Sequence, residues 1–106
     1  SLIDSVKQWS LSENLWARRA SAVSFIYPAK KNTYASDQFE IALILLEDHE
    51  DMVQKGYGWM LKVLSQVRQQ EVFDFVQTYK ARMPRTALRY AIEKMDAHYR
   101  DEAMRK

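Results

Sequence analysis

The chain contains very few residues that interrupt helices. It has 2 Gly and 2 Pro among its 106 residues, whereas a sheet protein needs turn residues at roughly every tenth position. This shortage disfavours a β-sandwich, a β-barrel, a Gly-rich phosphate loop and a disordered low-complexity tail. Apolar residues recur instead at helical spacing along nearly the whole sequence, which predicts an all-α fold.

The composition is that of a globular helical chain. With 47% apolar and 28% charged residues, we expect a single domain over residues 1–106. The chain has no cysteine, which excludes disulfides, thiolate nucleophiles and Cys-ligated metals. No apolar run approaches the ~18 residues of a membrane span, and no signal peptide is visible. We therefore expect a cytoplasmic protein without a membrane partner.

The helical pattern divides into about six segments. The predicted helices are Leu2–Trp9, a second from the capping box of Ser10 and Glu13 to Tyr27, a third capped by Ser36, a fourth over 51–68, a fifth over 71–81 and a sixth over 85–99. We expect a loop over 28–34, Pro84 in the first turn of the sixth helix, and a frayed end over 100–106. Short connections between such helices predict stacked antiparallel pairs, either as a bundle or as a HEAT-like α-solenoid.

One face of each longer helix is predicted to form the core, because its apolar residues repeat three and four positions apart. These positions are Leu15, Trp16, Ala20, Ala22, Val23, Ile26 and Tyr27 in the second helix, Phe39, Ala42, Leu43 and Leu46 in the third, Val53, Tyr57, Met60, Leu61, Leu64 and Val67 in the fourth, and Leu88, Ala91, Ile92, Met95 and Tyr99 in the sixth.

Two arginines interrupt the apolar face of the second helix. Arg19 falls between Val23 and Ile26 around the helix, and Arg18 falls at the edge of the apolar arc. A guanidinium on such a face pairs with a carboxylate, extends to solvent, or lines a wet cleft where it meets an anion. Internal pairing and anion binding both remain open from the sequence.

The fourth helix carries a polar stripe that contains a tryptophan. Lys55, Trp59, Lys62 and Gln66 follow one another at spacings of four, three and four residues, opposite the core stripe. An aromatic ring among lysines is typical of nucleic-acid surfaces, where the cations neutralise phosphates and the ring packs on sugar or base. The alternative is a boundary tryptophan that packs on a neighbouring helix.

Both glycines lie inside the same helix, where each costs up to about 1 kcal/mol relative to alanine. Gly56 faces the apolar side, so we expect a close approach of another helix there. Gly58 is predicted to face away from the core, where it would leave room beside Trp59 for a ligand backbone.

The C-terminal part of the chain is basic. From Gln77 onward there are eight Lys or Arg against four Asp or Glu, although the net charge of the whole chain is only +2. Arg85 and Arg89 are four residues apart on one helix, and their repulsion is modest. They form either a solvated face or a contact with a polyanion. The acidic run over 47–51 is interpreted as favourable charge at a helix start, and the isolated histidines predict no metal site.

Three segments carry a resemblance to a known family. They read NLWARRA over 14–20, VQKGYGWMLK over 53–62 and MPRTALRYAIEK over 83–94. In this order and at this spacing they resemble the DNA alkylation repair family, the HEAT-like-repeat DNA glycosylases of AlkD type. The resemblance covers most of the chain, and its specificity comes from the combination of the three motifs.

The resemblance implies an α-solenoid whose basic concave groove holds duplex DNA with alkylated bases. It also implies hydrolysis of the N-glycosidic bond of cationic N3- or N7-alkylated purines, without a metal or another cofactor. By position, Arg19 matches the family's groove arginine, and Trp59 matches the aromatic that packs on the deoxyribose of the lesion. Lys55 and Lys62 flank it as phosphate contacts, and we add Arg18 and Arg89 to the expected DNA-binding set.

One part of the family pattern is absent. The family's catalytic Asp lies in a Trp-x-x-x-Asp motif before the segment that contains Arg19, and Asp4 does not match it because no Trp stands four places earlier. The first residue is Ser1 rather than Met. We therefore expect the C-terminal half of a longer protein, with no catalytic residue, little or no glycosylase activity alone, and self-association through the exposed end of the solenoid.

Two functions follow as hypotheses from these patterns. The first is the DNA-binding part of a base-excision glycosylase, based on Arg19, Trp59 and the three motifs. The second is a non-catalytic helical-repeat scaffold that binds an acidic protein through the same basic face. The first predicts that DNA affinity depends on Arg19 and Trp59, whereas the second predicts salt-sensitive protein binding and no base release.

Overall fold

The computed structural model describes residues 1–105, and all regular structure in this range is helical. The α-helices are α1 (Leu2–Trp9), α2 (Leu15–Val23), α3 (Ile26–Lys30), α4 (Ala35–Leu45), α5 (Asp51–Ser65), α6 (Gln69–Tyr79), α7 (Arg85–Ile92) and α8 (Ala97–Ala103), with a 3-10 turn at Lys80–Arg82. The predicted all-α class is confirmed. The helices pack mainly around α5, an arrangement consistent with a helical-repeat solenoid.

The longest helix, α5, lies at the centre of the packing. It contacts α7 on one side and α2 on another, and these are the two most extensive helix contacts in the described chain. Tyr57 of α5 is fully buried, and its hydroxyl donates to the carbonyl of Leu46 over 2.7 Å. Burial raises the pKa of Tyr57 well above its usual range. The hydroxyl therefore stays protonated, and its hydrogen bond links α5 to the end of α4.

Two predicted helix starts were wrong. The second helix begins not at the capping box of Ser10 and Glu13 but at Leu15, because the Oδ1 atom of Asn14 accepts from the backbone of Trp16 at 2.8 Å and of Ala17 at 3.3 Å. The hydroxyl of Ser10 instead donates to the Lys7 carbonyl at the end of α1. Likewise α4 begins one residue before Ser36, preceded by Tyr34 in a left-handed conformation.

The predicted loop over 28–34 was wrong in its first half, which belongs to α3. The predicted second helix ends at Val23, before α3, and the predicted sixth helix is two helices, α7 and α8. The described range therefore has eight α-helices rather than about six. Gln69 of α6 stabilises the break between α7 and α8, because its side-chain oxygen accepts from the backbone N–H of Asp96 over 2.7 Å. Pro84 directly precedes α7 instead of lying in its first turn.

Other helix ends also shift. The fourth predicted helix starts at Asp51 as expected but ends at Ser65, and the fifth runs over Gln69–Tyr79. Helix α8 continues to Ala103, so fraying over 100–103 was wrong. Lys106, which belongs to the predicted frayed end and to the predicted domain, lies outside the described residues.

The buried side chains form one cluster that contains most of the predicted core, including all but one position of the α5 stripe. Four predicted core residues are exposed instead: Trp16 at 58%, Tyr27 at 67%, Leu43 at 40% and Val67 at 43%. Val67 follows the end of α5, so the helical register no longer applies to it. Tyr27 lies on α3, past the break that ends α2 at Val23, so the register of the predicted second helix does not extend to it. Trp16 and Leu43 lie at the margins of broad apolar arcs, where periodicity does not decide which side a partner helix covers.

The N-terminal end of the stack has an open apolar cavity of about 390 Å³, lined by Leu2, Val6, Trp9, Phe25 and neighbouring residues. Self-association through this end stays a prediction. Light scattering on concentrated protein would test it. Residues 1–105 contain no helix that is both long and apolar enough to cross a membrane.

Candidate functional site

Two glycines of α5 bring its neighbours close. A methyl group on Gly56 would lie 3.3 Å from Cγ of Arg19 on α2. On Gly58 it would lie 2.7 Å from Cβ of Tyr90 and 3.1 Å from the carbonyl oxygen of Ala87, both on α7. The close approach expected at Gly56 is confirmed. The prediction that Gly58 leaves room for a ligand was wrong, because Gly58 is buried against α7.

Arg19 leaves α2 toward the start of α5. Its guanidinium donates from Nη1 to the carbonyl of Met52 over 2.6 Å, and the residue is half-buried. Within the described residues this is the one hydrogen bond of its side chain. The contact fixes the guanidinium in place, and the remaining N–H groups can still donate to an anion.

Arg18 makes a different set of contacts. Its Nε and Nη2 atoms donate to the two carboxylate oxygens of Asp48 at 2.7 and 3.3 Å, and its Nη1 atom donates to the carbonyls of Ser12 and Glu13. The hydrogen bond to Asp48 raises the pKa of Arg18. Arg18 thus ties the start of α2 to the segment before α5, which is the internal-pairing alternative. Its contact with DNA stays a prediction.

The stripe on α5 bears both of its lysines and its tryptophan as the sequence spacing predicts. The ammonium of Lys55 lies 2.8 Å from Asp51, and the hydrogen bond to that carboxylate raises the pKa of Lys55. The ammonium of Lys62 lies 3.3 Å from the carboxylate of Glu93, the residue that directly follows α7. Trp59, between them, is 40% exposed. An exposed indole between two lysines is an arrangement that can stack against a base or sugar.

Tyr90 borders the same stripe, although the sequence patterns gave it no role. Its ring centroid lies 5.5 Å from the ammonium of Lys62, and its Cβ packs over Gly58. The available signal was Gly58 itself, since a glycine inside a helix indicates an intruding neighbour. We call Arg19, Lys55, Trp59, Lys62 and Tyr90 the α2–α5–α7 face.

A family comparison bears directly on this face. Residues 1–95 match the family model described as DNA alkylation repair enzyme. The chain belongs to this family. No curated protein and no solved structure matches it.

The match to the DNA alkylation repair family includes the whole of α2, α5 and α7, and ends before α8. The family therefore indicates DNA as the partner, and every residue of the α2–α5–α7 face lies inside the matched range.

The two remaining candidate cations are both exposed on α7. Arg85 lines a separate cavity of about 280 Å³ with Leu88 and Met104, toward α8 rather than toward Trp59. Arg89 lies one residue before Tyr90, and its role in DNA binding stays a prediction. In the described part of this family member, no three acidic or histidine side chains are grouped to hold a metal ion.

Proposed function

We propose that the α2–α5–α7 face binds duplex DNA that carries alkylated bases. The observation that supports this best is the placement of Arg19, Lys55, Trp59 and Lys62 on neighbouring surfaces of α2 and α5, in a chain of the DNA alkylation repair family. On binding DNA, the two lysines would exchange their carboxylate partners, Asp51 and Glu93, for backbone phosphates. This exchange releases the counterions of DNA and makes binding salt-dependent. The indole would pack on the deoxyribose of the damaged nucleotide.

We further propose that the whole protein is a HEAT-like-repeat DNA glycosylase for cationic N3- and N7-alkylated purines. An alkylated purine carries positive charge, so breaking its N-glycosidic bond leaves a neutral base and an oxocarbenium-like sugar. Stabilising that sugar needs a carboxylate that is free to face it. Arg19 would hold the backbone beside the lesion while this bond breaks.

The chain alone is not expected to perform this reaction. The Trp-x-x-x-Asp motif in which the family resemblance places the catalytic carboxylate does not occur in the sequence. The chain would therefore bind damaged DNA without releasing the base.

The test is a fluorescence-anisotropy titration with two duplexes, one unmodified and one with a cationic sugar mimic at a single site. Trp59→Ala should weaken binding about tenfold, because one sugar or base packed on an aromatic ring contributes about 1–3 kcal/mol. Arg19→Ala should weaken it comparably, since charged hydrogen bonds contribute about 1.5–3 kcal/mol each.

Trp9→Ala is the matched control, because Trp9 is 41% exposed and lies on α1, beside the N-terminal cavity. It should leave the affinity unchanged. Equal losses for Trp9→Ala and Trp59→Ala, or no loss for Trp59→Ala and Arg19→Ala, would contradict the proposed face. Release of methylated purine by the chain alone would contradict the proposed inactivity.

A further inference from the structure

Tyr90 holds a fixed place at the contact between α5 and α7. Its Cβ lies against Gly58, the residue directly before Trp59, at a distance that no side chain at position 58 would allow. The backbone of Tyr90 therefore cannot move away from α5 without breaking this helix contact. Its half-buried ring extends from there along the stripe of α5.

The ring restrains Lys62 in a way that leaves the lysine able to bind an anion. The ammonium lies 5.5 Å from the ring centroid and 3.3 Å from Glu93. The side chain of Lys62 is only 20% exposed, whereas that of Glu93 is 53% exposed. A ring on one side of the ammonium leaves N–H donors free on its other sides. An anion can therefore replace Glu93 while the ring contact persists.

Tyr90 is also near the other lysine of the stripe. The hydrogen bond to Asp51 is the main cause that raises the pKa of Lys55, and Tyr90 lies near enough to this ammonium to interact with it electrostatically. Tyr90 thus lies close to both lysines that flank Trp59. A flexible lysine loses rotamer entropy when it binds, and a lysine already restrained by a ring loses less of it.

We propose that Tyr90 is a positioning residue of the DNA-binding face, whose ring holds the ammonium of Lys62 where it meets a backbone phosphate beside Trp59. This inference rests on the proposed function. When DNA binds, the phosphate takes the place of the Glu93 carboxylate, and Tyr90 keeps Lys62 at the α5–α7 contact. Tyr90 acts through Lys62 and does not itself read the base.

The test is a double-mutant cycle on duplex affinity with Tyr90→Leu, Lys62→Ala and the double variant. Tyr90→Leu should weaken binding about two- to fivefold, the range expected from loss of an exposed cation–π contact. Tyr90→Phe keeps the ring and should stay within about twofold of the wild type. The double variant should bind no more weakly than Lys62→Ala alone, since Tyr90 has no effect once Lys62 is gone.

A second readout needs no DNA. Proton NMR of the free chain should show the Lys62 methylene next to the ammonium shifted upfield by the ring, and Tyr90→Leu should remove this shift while Tyr90→Phe keeps it. Additive losses in the cycle, or an unshifted Lys62 methylene in the wild type, would overturn the positioning role and leave the proposed function intact. Failure of the wild type to bind any duplex would overturn the proposed function, and this inference with it.

Discussion

Asn14 fixes the first turn of α2 through its side-chain oxygen, which accepts from the backbone of Trp16 and Ala17. This turn matters to the candidate site because α2 carries Arg19. The sequence also contains Ser36 near the start of α4, but Ser36 makes no capping hydrogen bond there. Asn14 therefore caps its helix, whereas Ser36 only matches the sequence pattern of a cap.

Replacing Asn14 by alanine should lower the free energy of unfolding by about 1 kcal/mol, the usual cost of losing an N-cap. Ser36→Ala is the control and should change stability by less than about 0.5 kcal/mol, as for a surface substitution. Urea unfolding followed by circular dichroism measures both. Equal effects of the two substitutions would show that Asn14 does not hold the helix start.

At the residue scale, the sequence located the candidate site better than it located the helix caps. The positions of Trp59, Lys55 and Lys62 follow from the 3.6-residue period, so their shared face was predictable. The partners of these residues were not, because Glu93 and Tyr90 come from another helix. Arg18 was ambiguous for the same reason, since its carboxylate, Asp48, is thirty residues away.

Among the elements, the contact between α5 and α7 depends on the absence of a side chain at position 58. A methyl group there would meet the backbone of Ala87 and the Cβ of Tyr90, neither of which can rotate away. At Gly56 a methyl group would meet the flexible side chain of Arg19 at 3.3 Å. The two glycines lie in the same helix, but the side chain next to Gly56 can shift, whereas the atoms next to Gly58 cannot.

Gly58→Ala should therefore destabilise the chain by about 1–3 kcal/mol through overpacking, even though alanine is the better helix former. Gly56→Ala should be close to neutral, because the gain in helix propensity of about 1 kcal/mol offsets the small shift required of Arg19. Thermal unfolding of both variants measures the difference. A Gly58→Ala variant as stable as Gly56→Ala would contradict the close helix contact.

Helix ends were the part of the fold that sequence reasoning placed least well. Apolar periodicity identified α1 and the start of α5 because each has one clear stripe. It merged α7 with α8, since the apolar positions continue in register past the break that Gln69 stabilises from α6. It also missed α3, because Pro28 and the two lysines that follow are typical of a loop. Such breaks depend on tertiary hydrogen bonds, which periodicity does not report.

For the whole molecule, α5 packs against both α2 and α7, which brings Arg19 of α2 and Tyr90 of α7 close to the polar stripe of α5. Both lysines of this surface have a carboxylate partner, Asp51 for Lys55 and Glu93 for Lys62. DNA binding would exchange these carboxylates for phosphates. The net gain then comes from releasing the counterions of DNA, so affinity should fall steeply with salt.

The most direct test of the account is the slope of log Kd against log salt concentration for a short duplex. Replacing a lysine that contacts a phosphate by alanine should reduce the slope by about 0.9. Lys55→Ala and Lys62→Ala should each lower it by about that amount, and Lys30→Ala, on α3, should not change it. Slopes that are equal in all four proteins would contradict a DNA-binding face on α2, α5 and α7.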